Sequence, residues 1–215
     1  MAQSVAVVID AGYVLKLLDP FRSKTANNRI EVGHLRAVAD RAVESGEELF
    51  RIYCYHCPPY GGTQRKPFNT GTVDFGASGV AKYQTALQES IRLAPRFAFR
   101  TGQLRWRGWK CGFRPSQDPN TPAKNMNWRP EFEQKQVDIK IGLDIAWLAS
   151  KSIAEIIAIA SNDTDFVPAM KFARREGVQV RLLTFAGVSA HNNLVGHSDY
   201  VTEIDLEQVA QDPTS

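Results

Sequence analysis

Four aspartates stand where short apolar runs end or helical patterns begin. Asp10 closes one apolar run, Asp163 and Asp165 follow a second, and Asp138 lies near the start of a helical pattern. If the two runs are neighbouring strands of a parallel sheet, their carboxyl ends share one edge. The sequence then predicts that three of the carboxylates meet there.

Four carboxylates that converge in a partly desolvated cleft repel one another, so the site would need a compensating cation. Because all of these ligands are oxygens, they favour Mg²⁺ or Mn²⁺ over zinc. Each aspartate alone also has a structural interpretation, as a helix N-cap, a turn residue or a first-turn acid. Two capping carboxylates only two residues apart exceed what one helix start requires, and this favours the metal site.

Asp144 follows Asp138 by six residues in the same helical pattern. Six residues correspond to about 240° of rotation around an ideal helix, so the two side chains cannot both point straight at one site. We therefore predict that Asp144 is a hydrogen-bonded structural residue, with a neighbouring backbone group as its partner.

Basic and aromatic residues alternate in the middle of the chain. Between Arg92 and Arg114 there are seven Lys or Arg residues and no acid, interleaved with Trp106, Trp109 and Phe113. Cations for phosphates and rings for base stacking suit single-stranded nucleic acid. A structural strand, with its tryptophans packed inside and its arginines in water, remains equally open. The candidate nucleic-acid-binding residues are Lys135, Arg105, Arg107 and Lys110.

A second cluster of potential metal ligands contains Cys54, His56 and Cys57, with Cys111 further along the chain. Zinc sites usually show two paired sets of ligands. Here the only pair sits in or at the end of a predicted strand, where residues three apart point to opposite faces. Buried strand cysteines are the simpler interpretation.

The apolar periodicity predicts the elements that would position these residues. Predicted strands cover residues 5–9, 49–55, 96–106, 156–160 and 178–184. Predicted helices cover residues 13–18, 32–45, 80–93, 135–150 and 166–176. Nearly continuous apolar strands alternating with helices indicate an α/β fold with a mostly parallel sheet covered on both faces.

The composition fits one globular domain. The chain has 215 residues, 43% hydrophobic and 23% charged, with a net charge of +3 that does not by itself imply nucleic acid. We predict a single domain over residues 1–207, loop-rich insertions at about 58–79 and 107–134, and a polar tail at 208–215. No secretory or membrane-spanning pattern is recognised, and three cysteines favour a reducing cytoplasm.

Three segments resemble the signature blocks of the NYN domain, most closely its LabA-like branch. They are VVIDAGY at 7–13, KQVDIKIGLD at 135–144 and ASNDTDF at 160–166, and LVGHSD at 194–199 resembles the closing segment of the family. The resemblance implies a PIN-like three-layer α/β/α sandwich that hydrolyses single-stranded or structured RNA with metal-activated water. It also implies that the catalytic, metal-binding acids are Asp10, Asp138, Asp163 and Asp165.

One position departs from the common family pattern. Many NYN proteins carry, three residues after the first aspartate, an Asn that helps position substrate or metal, and here that residue is Tyr13. A tyrosine is not unusual in the LabA-like branch. The alternative function is therefore a catalytically weak or inactive RNA-binding or regulatory module on the same fold.

Two other enzyme classes fit the first strand less well. Aspartyl-phosphate chemistry normally pairs its nucleophile with a second Asp two residues on, where this chain has Gly12. A dinucleotide-binding domain would carry G-x-G-x-x-G after that strand, and this pattern does not follow Ile9. The sequence leaves open whether DNA is also a substrate and whether the chain forms a homo-oligomer.

Overall fold

A computed structural model describes residues 2–112 and 126–213. The described strands are β1 (Gln3–Asp10), β2 (Glu47–His56), β3 (Thr63–Arg65), β4 (Thr72–Asp74), β5 (Phe97–Thr101), β6 (Gln103–Gly112), β7 (Asn127–Lys135), β8 (Ile156–Ala160), β9 (Gln179–Phe185) and β10 (Tyr200–Ile204). Six of them form a parallel sheet in the order β10-β9-β8-β1-β2-β5.

Helices cover both faces of this sheet. The described α-helices are α1 (Ala11–Leu18), α2 (Val32–Asp40), α3 (Gly79–Leu93), α4 (Val137–Ser150), α5 (Val167–Arg175), α6 (Asn192–Val195) and α7 (Leu206–Gln211). Val7 and Ile9 of β1 belong to the core shared with α1, α2, α3 and α7, whereas Ala6 and Val8 belong to the core shared with α4 and α5. Because side chains alternate along a strand, the apolar strands fill both cores. The predicted α/β sandwich is confirmed.

The predicted strand at 96–106 is two strands. Gly102 separates β5, which joins the main sheet, from β6, which leaves it. A Cβ atom at this glycine would lie 2.6 Å from Val137 Cγ2 and 2.7 Å from the carbonyl oxygen of Lys135. Only a residue without a side chain allows this close approach between the end of β5 and the start of α4.

The expectation that 107–134 is loop-rich was wrong for its described part. Strands β6 and β7 pair antiparallel from Gln103 opposite Lys135 to Gly112 opposite Asn127. A second hairpin, β3–β4, lies within the predicted loop region 58–79. Each hairpin satisfies its backbone hydrogen bonds through a partner strand, and the apolar periodicity of one segment does not show which segment that is. Phe113 and Arg114 of the basic–aromatic segment lie outside the described residues.

The C-terminal residues also differ from the expected polar tail. Helix α7 extends to Gln211, and its Val209 and Ala210 are buried against the core around α1 and α2. Asp205 caps this helix by accepting hydrogen bonds from the amides of Glu207 (2.8 Å) and Gln208 (3.4 Å). The tail prediction was wrong through residue 211 because a capped, amphipathic turn starts before it.

Several helix boundaries differ from the predicted ones. Helix α2 ends at Asp40 instead of residue 45, and α4 begins at Val137, after Gln136 with a positive φ of 71°. In the described part of the chain, no helix is both long enough and apolar enough to cross a membrane.

Candidate active site

The site begins where β1 and β8 end side by side. The two strands pair in parallel, with Ile9 opposite Ala160, so Asp10 and Ser161 leave the sheet at the same level. The condition under which three aspartates share one edge, that the two strands are neighbours, is therefore met. Asp163 and Asp165 follow Ser161 within one short turn.

Asp10 has two roles at this edge. Its side chain caps α1, with Oδ1 accepting a hydrogen bond from the amide of Tyr13 at 3.2 Å. Burial, with smaller contributions from the carboxylates of Asp138 and Asp163, raises its pKa from the ordinary 3.8 to about 6, although the amides of Tyr13 and Gly12 oppose the rise. Taken alone, Asp10 was expected as a turn residue after a strand; it is instead an N-cap, and capping does not account for the neighbouring acids.

Asp138 lies in the first turn of α4, on a different segment of the chain. Burial raises its pKa, and the carboxylates of Asp163 and Asp165 raise it further. Asp138 and Asp165 also line one groove of about 600 Å³ between α4 and α5. Three segments distant in sequence therefore deliver carboxylates that act on one another.

Asp163 organises the turn that follows β8. Its Oδ1 accepts a hydrogen bond from the amide of Asp165 at 2.9 Å, and its own amide donates to Ser161 Oγ at 3.3 Å. These bonds hold a short 3-10 turn over Thr164–Phe166, and Phe166 is buried beneath it. Asp163 also caps a helical turn, whereas Asp165 is exposed at the edge of the groove.

The carboxylates of the four aspartates influence one another, but they are not arranged around a common metal position. Within residues 2–112 and 126–213, no group of three or more His, Cys, Asp or Glu side chains is arranged to hold a metal ion. The donor chemistry nevertheless suits a hard divalent cation, because the acids that act on one another present only oxygen. A cation would also offset the repulsion that raises the pKa of Asp10 and Asp138.

The predicted basic residues lie on the β6–β7 hairpin or at its end. Arg107 and Lys135 both form ion pairs with Glu133, and Lys110 Nζ lies 3.7 Å from Glu131 Oε1. Arg105 is exposed. The acids of β7 therefore offset much of the positive charge of β6, so the hairpin is less basic than the segment 92–114 alone suggests.

The aromatic residues of the hairpin pack on one another. The rings of Trp106 and Trp109 lie 5.3 Å apart, and both contact Phe75 of the neighbouring hairpin region. Tyr60 and Phe132 complete the cluster. The structural interpretation of these tryptophans is the one the packing favours, because their faces are occupied by other rings.

The cysteines do not form a zinc site. Cys54 is buried in the core beneath α1 and α2, whereas Cys57 is buried in the core beneath α4, so the two side chains lie on opposite faces of the sheet. Cys57 Sγ donates to the carbonyl oxygen of Gln103 at 3.3 Å. Cys111 is exposed on the hairpin. The interpretation of Cys54 and Cys57 as buried strand cysteines is confirmed.

Asp144 is hydrogen-bonded, as expected, but its partners are side chains. Tyr55 Oη donates to its Oδ2 at 2.7 Å, and Arg100 Nε donates to the same oxygen at 3.2 Å. The expected backbone partner was therefore wrong. The bonds tie α4 to β2 and β5, which fixes the helix that carries Asp138.

Two residues, Gln134 and His56, make contacts that the sequence does not predict, although His56 stands in the candidate zinc cluster. Gln134 of β7 lies over Gly12, where an added Cβ would be 2.8 Å from Gln134 Nε2 and 3.3 Å from Asp10 Oδ1. His56 ends β2 and is fixed by Gln88 of α3. No spacing pattern marks these residues, because each contact joins elements that meet only in the folded chain.

Comparison with known proteins supports the family resemblance over part of the chain. Residues 99–205, just under half of its length, match the NYN domain, which belongs to a superfamily of PIN-like nucleases. The match contains Asp138, Asp163 and Asp165, and Asp10 lies outside it. The six-stranded parallel sheet between helices agrees with a PIN-like fold of this family.

The other comparisons identify neither a family nor a function. A crystal structure of a Vibrio parahaemolyticus protein of unknown function is similar, with 14% sequence identity, a TM-score of 0.49, and coverage of 95% of this chain and 94% of that one. No curated protein matches the sequence.

Proposed function

We propose that this protein is a metal-dependent ribonuclease that hydrolyses RNA phosphodiester bonds at Asp10, Asp138, Asp163 and Asp165. The observation that carries the proposal is the convergence of carboxylates from three segments, where burial and the charges of Asp138 and Asp163 together raise the pKa of Asp10 to about 6. A fold gains no stability from such mutual repulsion. Perturbed carboxylates gathered at the carboxyl edge of a parallel sheet are typical of a catalytic or metal-binding site.

Mg²⁺ or Mn²⁺ is the cofactor that the donor set fits. When bound, such an ion would polarise a phosphate oxygen and lower the pKa of a bound water. Asp10 and Asp138 would hold it, and Asp163 or Asp165 would orient or deprotonate the attacking water. Without a cation the like charges favour separation, so binding would require these side chains to approach one another.

RNA is the proposed substrate class, and the β6–β7 hairpin is its proposed secondary contact surface. Arg105 and Arg107 are exposed or half-exposed there, and Lys110 and Lys135 accompany them. Phosphates could replace Glu131 and Glu133 as partners of these cations. Because the acids compete, binding through the hairpin should be weak and sensitive to salt.

The test is cleavage of labelled single-stranded RNA by the purified chain in Mn²⁺, in Mg²⁺ and in EDTA. Asp10→Asn and Asp163→Asn should each lower the metal-dependent rate by about 100-fold or more. Asp205→Asn is the matched control, because this residue also caps a helix after a strand and lies on another element. Its rate should equal that of the unsubstituted chain.

Two results would contradict the nuclease. Cleavage that persists in EDTA or in the Asp10→Asn/Asp163→Asn double variant would assign the activity to a contaminant or to other residues. RNA binding without cleavage in either metal would favour the alternative of a catalytically weak or inactive RNA-binding module, with Tyr13 as the first position to change to Asn.

A further inference from the structure

A cleft borders the acidic edge on the side of α1 and α3. Its volume is about 400 Å³, within the range of about 300–1,000 Å³ that is usual for small-molecule pockets. Gly12 and Gln134 form the wall that it shares with the acidic edge, and Asp10 Oδ1 lies directly beside that wall. A molecule in the cleft would therefore sit next to the proposed reaction site.

The protonation pattern of His56 is fixed by its neighbours. Gln88 is buried, and its Nε2 donates to the carbonyl oxygen of Cys57 at 2.8 Å. That carbonyl can only accept, so the amide nitrogen of Gln88, and not its oxygen, must face it. The same Nε2 lies 2.7 Å from His56 Nδ1. His56 Nδ1 must therefore accept, which leaves the hydrogen of the neutral ring on Nε2.

This Nε2–H is available to a ligand. His56 is only 8% exposed and lines the cleft, and burial lowers its pKa, so the ring is neutral at pH 7. None of the hydrogen bonds among the described residues uses its Nε2. Because Nε2 is not among the fully enclosed polar atoms that lack a partner, it is accessible to solvent, and an acceptor on a ligand can replace water there.

The remaining walls combine apolar surface with amide groups. Leu15, Ile30 and Leu87 supply apolar surface, while Gln84 and Gln134 supply side-chain amides that can both donate and accept. Lys16 and Arg22 are exposed on the same cleft, and Arg22 forms an ion pair of 3.1 Å with Asp19, which also lines it, so Lys16 is the cation left for a phosphate. Flat apolar faces, polar edges and a nearby phosphate are the three features of a nucleotide.

We propose that this cleft binds one unstacked nucleobase of the RNA, next to the bond that the acids cleave, with His56 Nε2–H donating to an acceptor on the base edge. The inference rests on the proposed nuclease function for its biological setting. Gln84 and Gln134 read the same edge, and Lys16 lies close to the phosphate of that nucleotide. Cleavage should therefore depend on the identity of one base beside the cut.

Binding can be tested without any cleavage. The probes are the four nucleoside 5′-monophosphates, ribose 5-phosphate and inorganic phosphate, titrated into the full chain in EDTA and followed by NMR. At least one nucleotide should bind at least about fivefold more tightly than ribose 5-phosphate, because the base makes the directional contacts. Equal binding of the nucleotides and ribose 5-phosphate, or no binding of any nucleotide, would overturn the proposal.

Three variants separate the ligand contact from folding. His56→Phe keeps a ring and removes the donor, and Gln84→Leu changes a half-buried surface position on α3; each should weaken nucleotide binding about fivefold or more. Gln208→Leu is the matched control, because it makes the same exchange at an exposed position of α7 outside the cleft and should leave nucleotide binding unchanged. If Gln84→Leu binds the nucleotide as tightly as the unsubstituted chain, and His56→Phe is folded and also binds it as tightly, the cleft is not the nucleobase site.

The ring nitrogens of His56 give an independent readout. Their ¹⁵N shifts should show hydrogen on Nε2 at pH 7, and the Nε2–H signal should move when the nucleotide binds. Hydrogen on Nδ1 would overturn the donor role. Nucleotide binding without RNA cleavage would support the nucleobase site and reject the nuclease activity. RNA cleavage without nucleotide binding would support the nuclease activity and reject the nucleobase site.

Discussion

Asp10 should destabilise the folded protein when no cation is present. Its pKa is raised from 3.8 to about 6, so the folded state holds its proton over a pH range in which the unfolded chain has lost it. The destabilisation by Asp10 is therefore smallest at low pH and grows as the pH rises through this range. Asp10→Asn removes the charge and keeps a side-chain oxygen that can cap α1, since Asn and Asp are comparable N-caps.

The size of the effect follows from the same two pKa values. A rise from 3.8 to about 6 corresponds to about 3 kcal/mol of lost stability at pH 8, and to about 1 kcal/mol at pH 4.5. In EDTA, Asp10→Asn should therefore raise the free energy of unfolding by up to about 3 kcal/mol at pH 8. At pH 4.5 roughly two-thirds of that gain should be gone.

The assay is urea unfolding of both proteins at pH 4.5 and pH 8.0 in EDTA. Asp205→Asn is the control, because its side chain caps α7 through the amides of Glu207 and Gln208. An Asp-to-Asn exchange at that cap should change stability by less than about 0.5 kcal/mol at either pH. Adding Mn²⁺ at about 100 times its dissociation constant should stabilise the unsubstituted chain by about 2.7 kcal/mol and largely remove the advantage of the variant.

Two outcomes would refute this reasoning. If Asp10→Asn is no more stable than the unsubstituted chain at pH 8 in EDTA, burial and neighbouring carboxylates do not strain Asp10. If its gain is equal at both pH values, the gain comes from something other than the titration of this carboxyl group. Failure of Mn²⁺ alone would contradict the metal site and leave the electrostatic argument intact.

Two further predictions concern the scaffold. Glu47→Gln should cost about 3–5 kcal/mol at pH 7 in urea unfolding, because Arg181 is only 2% exposed and donates two hydrogen bonds of 2.7 Å to Glu47. Arg181 lowers the pKa of Glu47, so the stabilisation by this ion pair is present above pH 4.5 and disappears as the pH falls through the pKa of Glu47 in the folded protein. If the unsubstituted chain and Glu47→Gln lost equal stability on acidification, this prediction would be contradicted. Gly102→Ala should lower the free energy of unfolding by about 1–3 kcal/mol, since the added Cβ would lie 2.7 Å from the carbonyl oxygen of Lys135. Gly142→Ala should instead raise the free energy of unfolding by about 0.5–1 kcal/mol, because an added Cβ on α4 would have no atom within 4 Å. If both variants lost stability, the close approach at Gly102 would not explain its loss.

The sequence by itself determined the strongly patterned elements. The strand Ile156–Ala160 was predicted at its observed bounds, because five consecutive apolar residues fit only a strand buried on both faces. The alternation of such strands with helices determined the α/β sandwich. The spacing of the aspartates relative to these elements also identified the segments that meet at the edge of the sheet.

Only the tertiary structure decided how distant segments pair. The adjacency of β1 and β8 brings Asp10 level with Ser161, and the pairing of β6 with β7 turned an expected loop into a hairpin. Backbone pairing between segments that are not adjacent in the sequence leaves no periodic signal along the chain. The same holds for the ion pairs that offset the positive charge of the basic segment, and for the packing of Trp106 and Trp109.

The candidate site divides along the same line. Its carboxylates could be found from the sequence, because each one follows a recognisable strand or begins a recognisable helix. Its cleft could not, because His56, Gln88 and Gln134 come from β2, α3 and β7 and have no local pattern in common. Local periodicity shows which face of an element is buried. The ring nitrogen of His56 that carries the hydrogen, and the cleft wall that Gly12 and Gln134 form beside Asp10, depend instead on which elements meet. Only the folded chain decides that.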